Sequence, residues 1–544
     1  MLRLPAGGRY TVARADVPMR DGVVLLADHY APAAGQPDTK GTLLVRGPYG
    51  RGFPVAQVFA RVYAARGYHV ILQSVRGTFG SGGTFEPVVS EAADGADTVA
   101  WLRNQPWFTG TFGTIGVSYL GFTQWALLVD PPPELVAAVV TVGPHDFSRS
   151  TWGTGAFALN DFLGWSHLVA RQEDGGVLRA GLHQLRAPRA VARAASGLPL
   201  GAAGRTLLGD RSPWYESWVE HPQVEDPFWD RYRFSAALER VGVPVLLLSG
   251  WQDLFLGQTL AQYRRLRDRG VEVALTVGPW NHTQMIIKGL GTVTRETLSW
   301  LDAHLAGDGA EPRAARVRVF VSGGTGPAWR ELPDWPPPTT ARQWYLQPAG
   351  GLATTPPYAS EPAGSVEFRF DPAEPTPTVG GPLLSPDGGY QNDGRLARRD
   401  DVLSFTTDPL TEDLYVLGNP VVELAHSSDN PYADLFVRVS QIDARGRSRN
   451  VSDGFRRLGK PSGPGPARVE LDAIAHRFAA GSCIRLLIAG GCHPRYARNL
   501  GTGEPPVSGV RLLPVTHTVV LGDSRLILPV GSGPATGPGP QPPT

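Results

Sequence analysis

Cysteine is all but missing from this chain: Cys483 and Cys492 are the only two in 544 residues. A disulfide framework is therefore excluded as the basis of the fold. The pair flanks the mostly apolar run Ile484 to Ala489, so one hairpin disulfide is conceivable; two unbonded, buried thiols in a reducing cytoplasm is the preferred expectation. Lysine is nearly as scarce, at Lys40, Lys288 and Lys460 only, and the net charge is +1. No face is visibly basic, so neither nucleic acid nor an anionic membrane is expected as a partner. CxxC, HExxH and EF-hand spacings do not occur, so no metal and no cofactor is expected. No apolar run reaches the ~18 residues of a membrane-crossing helix. Met1 to Gly8 lacks the long apolar core of a secretory leader, which again favours a cytoplasmic protein.

What is present is the composition of a globular protein, 42% hydrophobic and 19% charged, long enough for two or three domains. Tyr10 to Val17 and Val23 to Tyr30 alternate around a Met19–Gly22 turn and predict a hairpin. Thr42 to Val45, Tyr68 to Gln73, Leu135 to Val142, Val243 to Ser249 and Val271 to Val277 read as buried strands. Helical patterns lie between them, at Val55 to Ala65, Glu91 to Leu102, Phe122 to Val129, Thr259 to Arg269 and Thr294 to Leu305. This alternation predicts a parallel sheet covered on both faces. Between Phe147 and Phe234 strand signals vanish and two helical stretches, Trp152 to Val169 and Val177 to Ala195, suggest an insertion. After Gly307 short strands separated by Pro and Gly predict an antiparallel sandwich. The expected layout is a core over 1–146 and 235–308, a helical cap over 147–234, a sandwich over 309–530 and a disordered tail over 531–544.

The chemistry centres on Thr114-Ile115-Gly116-Val117-Ser118-Tyr119-Leu120-Gly121. An apolar strand runs into a serine and a helix follows at once, which is the pattern of a nucleophile elbow. Gly116 supplies the small residue two positions before the serine; Leu120 stands where a second glycine is usual, and Gly121 comes one later. A serine hydroxyl needs a base, and the base an orienting carboxylate. In this fold both follow the serine, each just past a strand end. Val243 to Ser249 ends in Gly250-Trp251-Gln252-Asp253, and Val271 to Val277 in Gly278-Pro279-Trp280-Asn281-His282. Ser118, Asp253 and His282 thus occur in the required order. His145 also follows a strand but precedes the acid candidate and leads into the insertion, so it ranks below His282. For the oxyanion, the Tyr119 amide is one donor and the hydroxyl of Tyr49, in the loop Arg46 to Gly50, a second.

These motifs resemble the CocE/NonD family of serine hydrolases, in the X-Pro dipeptidyl-peptidase-like group. The likeness rests on Gly116 to Gly121, Gly250 to Asp253, Val277 to His282 and Arg46 to Tyr49, with Leu163-Gly164-Trp165-Ser166 and Pro494 to Asn499 in support. It implies an α/β-hydrolase core with an inserted helical cap and a C-terminal jelly roll. It also implies Ser118, Asp253 and His282 as triad and Tyr49 with Tyr119 as oxyanion hole. One departure is Ser74-Val75-Arg76-Gly77, where the family often has an Asp before Arg-Gly. Trp152, Phe157, Phe162, Trp165, Leu254 and Phe255 are the expected pocket walls, between core, cap and sandwich, and the resemblance places Trp165 and Phe255 near an acyl group.

A carboxylester hydrolase acting on small molecules is the first choice, with activated amides second. Dipeptidyl peptidases of the group are usually much longer, and an α-amino ester hydrolase or β-lactam acylase tends to have Glu where Leu120 stands. The rival readings are a phosphate loop at Gly77 to Gly83, Ca²⁺ at Asp429 and Asp434, and a binding module with a dead hydrolase domain. The first lacks a following Lys-Ser/Thr, the second is outweighed by a solvated turn, and the third is opposed by the intact residue set. Assembly into a homo-oligomer is left open by the sequence.

Overall fold

The computed structural model describes residues 8–533 except 34–38, 176–186, 308, 312, 325–328, 358–363 and 460–465. The tail expected over 531–544 and the start of the helix expected from Val177 thus lie largely outside the described residues. Two compact units form. The first comprises 1–318 with 382–389 and 493–511, and the second 319–381, 390–492 and 512–544. The segments 382–389 and 493–511, placed with the sandwich on sequence grounds, pack with the first unit. Among the described residues no helix is long and apolar enough to cross a membrane.

The first unit is built on a sheet whose strands run β1 (Tyr10–Pro18), β2 (Val24–Pro32), β4 (Tyr68–Ser74), β3 (Gly41–Gly47), β5 (Phe112–Val117), β6 (Leu135–Thr141), β7 (Val245–Gln252) and β8 (Val273–Asn281) in spatial order. β1 and β2 are the expected hairpin, in register Tyr10↔Pro32 to Pro18↔Val24. From β4 onward every neighbour is parallel. These strands are apolar along most of their length because helices cover both faces. Helices Glu91–Leu102, Tyr119–Leu127, Leu256–Asp268 and Leu290–His304 do this. The helix expected over Val55 to Ala65 is present and widens to π-helical pitch over Gln57–Arg61 before its last turn, Val62–Ala64.

β7 and β8 extend three and four residues beyond their apolar runs. Glycine permits this: a Cβ on Gly250 would stand 2.2 Å from the Trp280 carbonyl oxygen, and one on Gly278 2.1 Å from the Trp280 ring. The parallel register pairs Gln252 with Asn281, so the next residues, Asp253 and His282, leave the sheet side by side.

Between β6 and β7 the chain is helical, as expected, but Trp152 to Val169 is broken into Phe147–Trp152 and Leu159–Arg171. Aromatic packing holds this region, with Trp218 contacting Phe147, Phe162 and Trp165 at ring separations of 4.6, 6.1 and 6.2 Å.

The second unit is a sandwich. Val402–Thr406, Cys483–Ala489, Asp434–Ile442 and Ser448–Arg457 form one antiparallel sheet in that order. In the other, the long strand Val515–Gly531 pairs with Thr340–Leu346, Ser365–Phe370, Leu414–Gly418 and Val421–Ser428. Leu435, Val437, Leu486 and Ile488 from the first sheet meet Val422, Leu424, Val519 and Leu526 from the second in one core. Neither cysteine is disulfide-bonded; Cys492 is buried, whereas Cys483 is only half-buried because it opens its strand.

Candidate active site

Ser118 sits at φ +60°, ψ −121°, a conformation forced by the turn from β5 into helix Tyr119–Leu127. Its amide donates to the Thr141 carbonyl of β6 at 2.9 Å, and its carbonyl accepts from Gly121 and Phe122. The sharpness of the turn explains the glycines. A Cβ on Gly116 would lie 2.5 Å from the Leu120 carbonyl oxygen, and one on Gly121 2.7 Å from Gly143 Cα. Gly121, three residues after the serine, therefore lets the helix close on β6.

Asp253 and His282 meet at the paired ends of β7 and β8, with His282 Nδ1 2.7 Å from Asp253 Oδ2. Both are buried. Asp253 Oδ1 accepts the Phe255 amide at 2.7 Å, so both carboxylate oxygens are engaged. Asn281 caps the helix His282–Ile287 by accepting the Gln284 amide, which fixes the backbone carrying the imidazole.

Tyr49 follows β3. Its hydroxyl accepts from Trp165 Nε1 at 3.0 Å. Burial pushes this phenol up to about 12, against the opposing pull of Trp165 and Ser118, so it stays protonated and can donate. The Tyr119 amide opens its helix and has no intrahelical acceptor. The ring behind it is pinned: the Tyr119 hydroxyl donates to Glu91 Oε1 and accepts the Val88 amide, both at 2.8 Å. Glu91 in turn faces Arg46 Nη2 at 3.0 Å, in an ion pair almost wholly removed from solvent.

Ser118, Tyr119 and His282 line one cleft of about 450 Å³, partly open to solvent, together with Val88, Phe122, Pro144, Phe147, Asp161, Phe162, Trp165, Leu254, Phe255 and Leu384. All of these residues belong to the first unit. Of the six expected walls, Phe162, Trp165, Leu254 and Phe255 are present and Trp152 and Phe157 are not. Trp152 Nε1 donates to the Trp218 carbonyl, and the Trp152 and Phe157 rings pack on each other at 5.2 Å, so both are spent on holding the helices together. The sequence reading missed Asp161, four residues before Trp165 and hence on its face of the helix. It also missed Pro144, just past the end of β6, a position the strand-end rule could have found. Leu384 carried no signal, being more than a hundred residues from any other lining residue.

The rival motifs resolve differently. The glycine-rich loop closes on itself through Gly77 N–H to the Gly82 carbonyl, and a Cβ on Gly77 would meet the Phe85 amide at 2.2 Å. Asp434 forms a two-bond ion pair with Arg457, and Asp429 accepts the Thr516 amide. His145 is buried and accepts from Gln262 Nε2 at 3.0 Å.

Residues 21–284 match the model of the X-Pro dipeptidyl-peptidase (S15) family, and 309–526 that of the X-Pro dipeptidyl-peptidase C-terminal non-catalytic domain. The chain is 32% identical to the cocaine esterase of Rhodococcus sp. (strain MB1 Bresler), over 91% of this chain and 93% of that protein. Among solved structures it resembles an α-amino acid ester hydrolase, with TM-score 0.80, 23% identity and 98% of both chains covered. An aminopeptidase from the marine sediment archaeon Thaumarchaeota archaeon superposes with TM-score 0.81, at 24% identity over 96% of this chain and 97% of the other. The elbow, the paired strand ends and a relative of this identity across nine-tenths of both chains place the protein in the CocE/NonD family of X-Pro dipeptidyl-peptidase-like serine hydrolases.

Proposed function

We propose that this serine hydrolase, which acts on carboxylic esters, uses Ser118 as nucleophile, His282 as general base and Asp253 as the carboxylate that orients it. The observation that carries the reading is the 2.7 Å Asp253–His282 contact opening onto the same cavity as Ser118. His282 Nε2 takes the Ser118 proton as Oγ attacks the ester carbonyl, and Asp253 stabilises the imidazolium that forms. The Tyr49 hydroxyl and the Tyr119 amide receive the oxyanion. The alcohol leaves with the proton from His282, and water activated by the same imidazole releases the acid. The aromatic walls Phe162, Trp165 and Phe255 favour an apolar or aromatic acyl group. The unbonded state of Cys483 and Cys492 supports a cytoplasmic setting.

The test is covalent labelling with a fluorophosphonate, together with turnover of p-nitrophenyl esters. The wild-type protein is expected to label once and Ser118→Ala not at all, with turnover down by at least about 10⁴-fold. Labelling or turnover that survives in Ser118→Ala overturns the assignment.

A further inference from the structure

The oxyanion role of Tyr119 uses only its backbone N–H, which almost any residue would supply, yet its side chain is held at several points. The ring is buried and stacks on that of Trp165, with centroids 6.0 Å apart and planes 10° from parallel. Burial, and after it the Glu91 charge, push the phenol well above its ordinary range, so it keeps its proton and donates to Glu91 Oε1. The same oxygen accepts the Val88 amide. Val88 holds φ +67°, a left-handed conformation that a β-branched residue keeps only where its surroundings enforce it. Glu91 and Arg46 are each 3% exposed. Besides its ion pair with the carboxylate, the Arg46 guanidinium donates to the Glu91 carbonyl at 2.9 Å and to Gln73 Oε1 at 2.7 Å. Taking both charges out of water is costly, and an apolar pair of like volume would commonly serve the fold as well. What the ion pair adds is a connection. It runs from the end of β3, three residues before Tyr49, through Arg46 and Glu91 to the phenol of the residue after the nucleophile. From there it returns to Tyr49, because the indole stacked on Tyr119 is the one that bonds the Tyr49 hydroxyl.

We infer that Glu91 is a positioning residue for the oxyanion hole: through its bond to the Tyr119 phenol it fixes the Tyr119 amide, and with it the separation between that amide and the Tyr49 hydroxyl. The inference rests on the reading that these two groups receive the oxyanion.

The test compares two ketones of one shape. With 1,1,1-trifluoro-4-phenylbutan-2-one, Ser118 Oγ bonds to the carbonyl carbon, the serine proton passes to His282 and the carbonyl oxygen becomes an oxyanion in the hole. With 4-phenylbutan-2-one no such addition accumulates. The wild-type protein is expected to be inhibited at least about a hundredfold more tightly by the fluorinated ketone. Tyr119→Phe deletes one oxygen and leaves the Arg46–Glu91 pair intact. It should cut that preference, and kcat on p-nitrophenyl esters, by about tenfold or more, with KM within about threefold. Glu91→Ala should do the same, and Glu91→Gln, which keeps an acceptor for the phenol, should lose less. The Glu91→Ala/Tyr119→Phe double variant should lose no more than the worse single. Where Glu91→Ala does not fold, Arg46→Met/Glu91→Met, which removes both charges, takes its place. A preference that survives Tyr119→Phe overturns the inference. So do losses that multiply in the double variant, or weakening of both ketones together, which is the mark of a purely structural role. A wild-type preference near one overturns the oxyanion reading itself, and the inference with it.

Discussion

Leu120 lies against Gly47 so closely that a Cβ on the glycine would stand 2.4 Å from Leu120 Cδ1. This contact joins the elbow to the end of β3, from which Tyr49 is suspended two residues later. It also accounts for the side chain at a position where elbows commonly carry glycine: the space Leu120 fills is space that Gly47 vacates. Gly47→Ala is expected to cost about 1–3 kcal/mol of stability, the usual range for overpacking a close-packed interior. It should also lower ester turnover, because Leu120 stands two residues after Ser118 in the turn that carries the nucleophile. Adding Leu120→Ala should recover much of the stability. Denaturation midpoints for the single and double variants check this, and additive losses would show that the two residues do not share the contact.

The Tyr49 hydroxyl should matter through one bond to the developing oxyanion. Tyr49→Phe is expected to lower kcat by about 10²–10³-fold with little change in KM, as for other single oxyanion donors. Fluorophosphonate labelling should slow in parallel, since it passes through the same charge. A loss below about tenfold in kcat would remove Tyr49 from the hole.

Buried neutral histidines set the acid limit of stability. Burial lowers His145 to about 4, with Asp146 opposing the shift and Arg149 adding to it. His493 is held at about 4 and His476 at about 3, again chiefly by burial. Their folded values lie below the ordinary 6.5, so the unfolded chain binds more protons between the two values. Stability is fully present above about 6.5 and falls as pH drops toward 4. Each imidazole contributes a slope of up to about 1.4 kcal/mol per pH unit. Melting temperatures measured from pH 7 to pH 4.5 should fall steadily. His145→Gln should flatten that dependence, whatever it does to stability at pH 7. An unchanged slope would mean that His145 already carries its proton in the folded protein.

Much of the core was readable before any coordinates because its signals are local. A parallel strand buried on both faces is an unbroken apolar run, as Leu135 to Val142 is, and the strand-to-helix passage around Ser118 needs small residues that print directly as Gly116 and Gly121. The C-terminal sheets were less legible. Ser448–Arg457 carries Arg and Asp rather than an apolar run, and its Asp453 answers the buried Arg438 on the neighbouring strand with bonds of 2.7 and 2.8 Å. Such a pair is invisible until the two strands are side by side.

Taken alone, the chain's order of residues determined the class of fold, the elbow serine, and the acid and histidine at two strand ends, since each depends on a few neighbours along the backbone. Tertiary structure decided the rest. It separated Phe162 and Trp165, which face the cavity, from Trp152 and Phe157, which hold helices together; the four look alike as a periodic aromatic run. It brought Leu384 to Asp161 across more than two hundred residues. The physical reason is that backbone geometry propagates locally, whereas the shape and charge of a cavity are sums over surfaces that meet only when the chain has closed around them.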